Sequence, residues 1–310
     1  PDGLASCCGT AGRLVRRMGG RCAVPCRDIV GAAESGTAEL GDAGLGDMAC
    51  IGFFGHHKCG TTTIQLVLKC VCEALGLRYQ SYHSPLQFDG DLPRCIRDDA
   101  IDVVAHVNAF YDHVAPIEDL VGFHVVRDPR DLVVSGYFSH LYSHPTEGWP
   151  ALSAHRKALE SLPKSEGLLL EIDFETKVLH NIRSWNYGDP RIQELRFETM
   201  ALYPERFWRG LFDALFPRVE KGGQVTYRVL NSDLQLDRLL DCVRSHSFER
   251  LAGQRQMGEE DPKHHYRKGL PGDWRNHFGR REAEYFAKRH ADLLVALGYE
   301  KDDAWVSDCP

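Results

Sequence analysis

The chain has 310 residues, 43% of them hydrophobic, which is long enough to bury a large core and leads us to expect one domain rather than two. Its net charge of -7 excludes an overall basic field, so bulk attraction to nucleic acid is not expected. No run approaches the roughly 20 apolar residues that span a bilayer, and the amino terminus lacks the charged, apolar, small order of a signal peptide. The expectation is a soluble, cytoplasmic chain that opens on Pro1 as a fragment would. The 11 cysteines are odd in number and scattered, which favours free thiols in a reducing compartment. Cys22 and Cys26 have no second pair at finger-like spacing and read as free thiols rather than zinc ligands.

Residues 1–47 are rich in Gly and Ala, with few large apolar residues beyond patches such as Leu14 and Val15. They read as a flexible extension ahead of one domain at 48–310. From Met48 onward, short apolar runs alternate with amphipathic stretches, the pattern of an α/β domain with a parallel sheet. A strand buried on both faces is expected at 49–54. A helix follows over 61–75, where Ile64, Leu68, Val71 and Leu75 recur on one face. Further strands are expected at 102–106, 122–126 and 194–197, and helices at 129–142, 205–215, 233–245 and 281–297. Pro129 suits a first helical position and Asp128 an N-cap.

Gly55 and Gly60 bracket a turn between the first strand and helix, the arrangement that aims backbone N–H groups and a helix dipole at phosphate. The Gly-x4-Gly spacing opens like a Walker A loop, but Thr61 and Thr62 follow where that motif needs Lys and then Ser or Thr. The only lysine, Lys58, lies inside the turn, beside where the phosphate bridge of a nucleotide would sit. A second motif runs from Arg127 at a strand end to Ser135 two helical turns on, and both could face one phosphate group. Alone, it reads equally well as a capped surface helix. A third, Arg267-Lys268-Gly269-Leu270-Pro271-Gly272-Asp273-Trp274, is a basic glycine-containing loop able to close over an anion. Alone, it also reads as a solvated loop docked by Trp274. His106 ends an apolar strand, the edge at which open α/β sheets place ligands, and can accept a proton near neutrality.

In this order, over about residues 49–298, the three segments resemble the cytosolic-type sulfotransferases. The resemblance implies an α/β, P-loop-containing, three-layer fold with a central parallel sheet flanked by helices. It implies 3′-phosphoadenosine 5′-phosphosulfate (PAPS) as donor and adenosine 3′,5′-bisphosphate (PAP) as product, without a metal. Lys58, Gly60, Thr61 and Thr62 would hold the 5′-phosphosulfate, and Arg127, Ser135, Arg267, Lys268 and Gly269 the 3′-phosphate. Phe248 matches the adenine-stacking Phe, and Cys59, Thr63 and Phe197 complete the cofactor-binding set. His106 matches the catalytic base, with Lys58 the second catalytic residue. Several positions depart from the family pattern: His57 replaces a usual Pro, Cys59 a common Ser, Thr63 a frequent Trp, and Val104 a Lys. Cys59 reads as a small loop residue rather than a nucleophile, because direct transfer needs no covalent intermediate.

The expected activity is in-line transfer of a sulfuryl group to a hydroxyl or amine of a small-molecule acceptor by a monomer or homodimer, with no nucleic-acid or membrane partner. Expected pocket walls are 82–86, 142–149 and 263–266. The alternatives are a P-loop kinase or ATPase, which would need a lysine after Gly60 and an acidic magnesium ligand, and a non-catalytic nucleotide-binding protein.

Overall fold

The structure, a computed structural model, describes residues 50–310. The expected extension at 1–47, Ala49, and Cys22 with Cys26 lie outside the described residues. In chain order the elements are β1 (Cys50–Gly55), α1 (Thr61–Leu75), β2 (Tyr79–Tyr82), α2 (Leu92–Asp98), β3 (Val103–Val107), α3 (Tyr111–Val114) and β4 (Leu120–Val126). Then come α4 (Pro129–Phe138), a π-helical turn (Ser139–Ser143), α5 (Pro150–Ser161), α6 (Lys164–Phe174), α7 (Thr176–Arg183) and β5 (Ile192–Arg196). The remainder is α8 (Phe197–Leu202), α9 (Pro204–Leu215), β6 (Arg218–Lys221), β7 (Gln224–Val229), β8 (Ser232–Gln235), α10 (Leu236–Ser245), α11 (Phe248–Leu251) and α12 (Arg280–Ala296).

Five parallel strands form the central sheet in the order β2-β3-β1-β4-β5. Alternate residues of the middle strands bury on opposite faces, as strand geometry demands. Ile51, Phe53, Val103, Ala105, Phe123 and Val125 pack with α1, α9 and α10. Cys50, Phe54 and Val104 pack on the other side with Phe88, Leu92 and Trp185, and a separate cluster there joins α4, α6, α7 and α12. The result is the expected three-layer α/β fold. Because the middle strands are parallel, their carboxyl ends gather the Gly55 turn, His106 and Arg127 along one edge.

Helix α1 occupies the expected span and stops at Gly76, whose φ of 68° lets its N–H bond back to the Cys72 carbonyl. Asp128 caps α4 and Pro129 begins it. Four expectations are corrected. The helix expected over 129–142 changes at Ser139 into a π turn closed by the His144 N–H on the Ser139 carbonyl. Phe197, expected to end a strand, instead starts α8 after Arg196. Asp233, expected in a helix, lies in β8, within an antiparallel three-stranded sheet that hydrophobic patterning does not reveal because all of β6 is exposed. No element was expected across 150–183, where three helices stand.

The free-thiol expectation fails at one pair. Cys70 of α1 and Cys242 of α10 form a disulfide, with Cα atoms 5.7 Å apart and 172 residues between them in sequence. Spacing rules could not see this pair, because packing α1 against α10 is what brings the two together. Cys50, Cys59, Cys72, Cys95 and Cys309 are free. Among the described residues no helix is long and apolar enough to cross a membrane. Because the crosslink closes a long loop, its reduction or a Cys242→Ser exchange is expected to lower unfolding stability by about 2–4 kcal/mol. Urea unfolding with and without reductant measures this, and peptide mapping without reductant should recover the linked Cys70 and Cys242 peptides.

Candidate active site

Strand β1 delivers the chain into the turn at the carboxyl edge of the sheet. Lys58 adopts φ 62° and Gly60 φ 77°, two left-handed residues that reverse the chain before Thr61 starts α1. Gly60 is needed twice over, since a Cβ there would also lie 2.7 Å from Phe197 and Met200. The first intrahelical bond runs from the Ile64 N–H to the Gly60 carbonyl, so the N–H groups of Thr61, Thr62 and Thr63 belong to the open first turn, which attracts anions. Arg127, at the end of β4, donates from Nη1 to the Lys58 carbonyl at 3.0 Å and lies over the Phe197 ring at 4.4 Å. Its Nε is buried and has no hydrogen-bond partner. Burial lowers the Lys58 pKa to about 8, opposed by the nearby Glu175 carboxyl and reinforced by Arg127.

The third motif reaches the same place. Asp131 of α4, fully buried, accepts from the backbone N–H of Gly272 at 2.5 Å and of Trp274 at 2.8 Å, which pins the basic segment against α4. Asp273 then gathers Arg267 Nη2 and Lys268 Nζ, each at 2.6 Å. Burial works against ionisation of Asp273, but hydrogen bonds from His277, Lys268 and Asn276 and the charge of Arg267 hold its carboxyl well below the usual range. Gly269, at φ 75°, brings the backbone against Phe248, whose ring would lie 2.7 Å from a Cβ there. Tyr266 stands by Thr63, and the charge of Arg267 reaches Lys58. Lys58, Cys59, Gly60, Thr63, Arg127, Phe197, Arg267, Lys268, Gly269 and Phe248 are thus linked around one edge. Ser135 is part-buried on α4 and is not tied into this network. Arg130, three residues after Arg127, is a packing residue: it is buried between Trp274 and Trp305 and paired with Asp128 and Glu300.

His106 ends β3, fully buried, with its Nε2 3.3 Å from His113 Nδ1 and its Nδ1 unpartnered. It packs edge-on against Phe88, in the layer beside β2. Burial lowers its pKa to about 4, with His113 adding to the shift, so the imidazole is neutral near pH 7.

Sequence reasoning missed a buried histidine and glutamate cluster next to Lys58. His57 Nδ1 meets Glu175 Oε1 at 3.0 Å. His140 Nδ1 and His155 Nε2 each meet one oxygen of Glu171 at 2.7 Å. The Glu171 and Glu175 spacing, one helical turn, is visible in the sequence, but their histidine partners lie 16 to 118 residues away. Gly136 leaves the room, since a Cβ there would lie 2.7 Å from Glu175 Oε1. Burial, with the Glu171 charge beside it, raises the Glu175 pKa to about 8.

No family model and no curated protein sequence matches the chain. Solved structures do. The crystal structure of mouse sulfotransferase SULT7A1 complexed with PAP matches over 82% of this chain and 88% of its own, at 17% identity and a TM-score of 0.53. The chain has the sulfotransferase fold. Retinol dehydratase, in complex with androsterone and the inactive cofactor PAP, matches over 81% of this chain and 83% of its own, at 16% identity and a TM-score of 0.41. The same enzyme with retinol and PAP matches over 80% of this chain and 81% of its own, at 16% identity and a TM-score of 0.42. The turn at Lys58 lies between the central strand β1 and the first helix α1.

The buried neutral state of His106 sets a pH dependence. Its folded pKa, about 4, lies below the ordinary 6.5, so between these values the unfolded chain takes up a proton that the folded chain refuses. The stabilisation is complete above pH 6.5 and is lost as pH falls toward 4. Urea unfolding of wild type and His106→Gln at pH 7 and pH 5 should show about 2 kcal/mol less acid destabilisation in the variant.

Proposed function

We propose that this protein is a PAPS-dependent sulfotransferase acting on a hydroxyl or amine of a small molecule. The observation that carries the proposal is the place of Lys58, inside the phosphate turn with its carbonyl held by Arg127, while Thr61 occupies the position where an ATP-binding loop needs lysine. The binding of PAP by the mouse sulfotransferase of like fold supports the choice of nucleotide.

The residues fit such a nucleotide. The open first turn of α1, the buried Arg127 Nε without a partner, and the close approach of Gly269 to Phe248 suit phosphate, a second phosphate and a stacked base respectively. When bound, PAPS supplies the sulfuryl group and a phosphate leaving group. The amides of Thr61 to Thr63 and the Lys58 ammonium would hold the charge that develops on that leaving phosphate. Arg127, Ser135, Arg267, Lys268 and Gly269 would hold the 3′-phosphate and so fix the reacting end in line. His106, kept neutral by burial, would take the acceptor proton. His144 and Trp149 pack near His57, and His265 lies within the field of Lys58, so an acceptor approaching from this side would meet imidazole and indole. That lining suits a small neutral acceptor better than a polyanion.

Replacing Lys58 by Ala is expected to lower turnover by about 100-fold or more while leaving the fold intact, as measured with labelled donor and pooled acceptors. In titration calorimetry PAP should bind the wild-type protein and ATP with magnesium should not. Binding of ATP-magnesium alone would overturn the assignment.

A further inference from the structure

We propose that His57, His140 and Glu175 form a binding site for one divalent transition-metal ion of the zinc class. One ligand atom from each lies within 4.8 Å of the others, inside the layer between the phosphate turn and α6. His57 Nδ1 and Glu175 Oε1 are 3.0 Å apart, close to the roughly 3.3 Å that separates two ligands each about 2.0 Å from a tetrahedral zinc.

The surroundings are those of a metal site. His140 is fully buried, and its Nδ1 is engaged by Glu171, whose second oxygen is engaged by His155. A carboxylate gripping one ring nitrogen is how ligating imidazoles are oriented, leaving the other nitrogen to the ion. That other nitrogen, His140 Nε2, is buried without a partner. An imidazole nitrogen shut away from water without a partner costs free energy that a bound cation would recover. The π turn at Ser139–Ser143 positions His140, and Arg156 fixes the turn by donating to the carbonyls of His140 and His144. Glu171 lies behind the imidazoles of His140 and His155, so a carboxylate backs the ligand set without itself being a ligand. Two imidazoles with one carboxylate select zinc-class ions over calcium or magnesium, which take oxygen ligands. His57, with 14% of its side chain exposed, is the ligand with room to turn onto the ion and marks the side of the open fourth position. The site runs against the expectation that no metal is involved, and it stands independently of the sulfotransferase assignment.

The test uses the full chain stripped with a chelator and titrated with zinc alone by calorimetry and with cobalt alone by visible absorbance. One equivalent of zinc and an intense tetrahedral cobalt band are expected in wild type. His140→Ala, Glu175→Gln and the part-exposed His57→Ala should each lose the band. Glu171→Gln should weaken zinc binding 10- to 100-fold, roughly the effect of losing a group that orients a ligand. His290→Gln, at a buried histidine whose two ring nitrogens also lack partners, should change nothing. Absence of the band in wild type, or zinc affinity unchanged in variants with wild-type circular dichroism, overturns the site. PAP binding measured on the same stripped protein separates this outcome from failure of the functional assignment: PAP bound without zinc removes the metal site alone.

Discussion

The left-handed turn at Lys58 is the constraint on which the candidate site depends. A lysine at φ 62° costs backbone energy that a glycine would not, and it persists only because its neighbours fix it. Arg127 does this from the next strand, through a hydrogen bond to the Lys58 carbonyl and contact of its guanidinium with Phe197. Gly60 lets Phe197 and Met200 close on the turn from a third direction. The same arginine therefore ties the turn to β4 and α8, so in the proposed reading one side chain would set the spacing between the two phosphate positions.

Two buried aspartates extend this arrangement to the third motif, and they do different things. Asp131 bonds only to backbone N–H groups of Gly272 and Trp274, so it places the chain. Asp273 bonds to side chains, holding Arg267 and Lys268 together where their mutual repulsion would otherwise splay them. In the proposed reading an incoming phosphate would meet cations already positioned, competing for them with Asp273, which keeps His277 and Asn276 as partners, and with Glu260. Preorganisation of this kind lowers the ordering cost of binding.

Local features of the fold were legible in the sequence where physics acts locally. The α1 span follows from apolar spacing and a terminating Gly76, and the α4 start follows from Asp128 and Pro129. The three motifs could be picked out because each pairs a strand end or loop with residues of fixed chemistry, and the structure brings their residues to one edge of the sheet. What was hidden has partners far away in the chain. Strand β2 is a short, half-polar edge strand, and β6 is exposed throughout, so neither shows apolar periodicity. Helix α6 places Leu168, Leu169 and Leu170 side by side, which blurs helical spacing, and the disulfide and the histidine cluster exist only after packing. The strand-end position of His106 was legible, whereas the His57 and Glu175 pair was not, since a departure at one loop position does not name its distant partner.

The buried carboxyls beside the phosphate turn then have a physical reason to be there. Burial, reinforced by the charges of Arg127 and Arg267, drives the Lys58 pKa down, and a neutral amine would be of no use to an anion. Glu175 and Glu171 oppose that shift and help keep the ammonium charged while the site is empty of nucleotide. Histidines surround those carboxyls because a carboxylate buried at this depth needs donors, and imidazole donates without adding a permanent charge. An anion arriving at the turn raises the ammonium pKa further, so phosphate binding and retention of the Lys58 proton reinforce each other. With Glu171 held ionised by His140 and His155, the cluster keeps a negative charge near the turn that supports a charged Lys58.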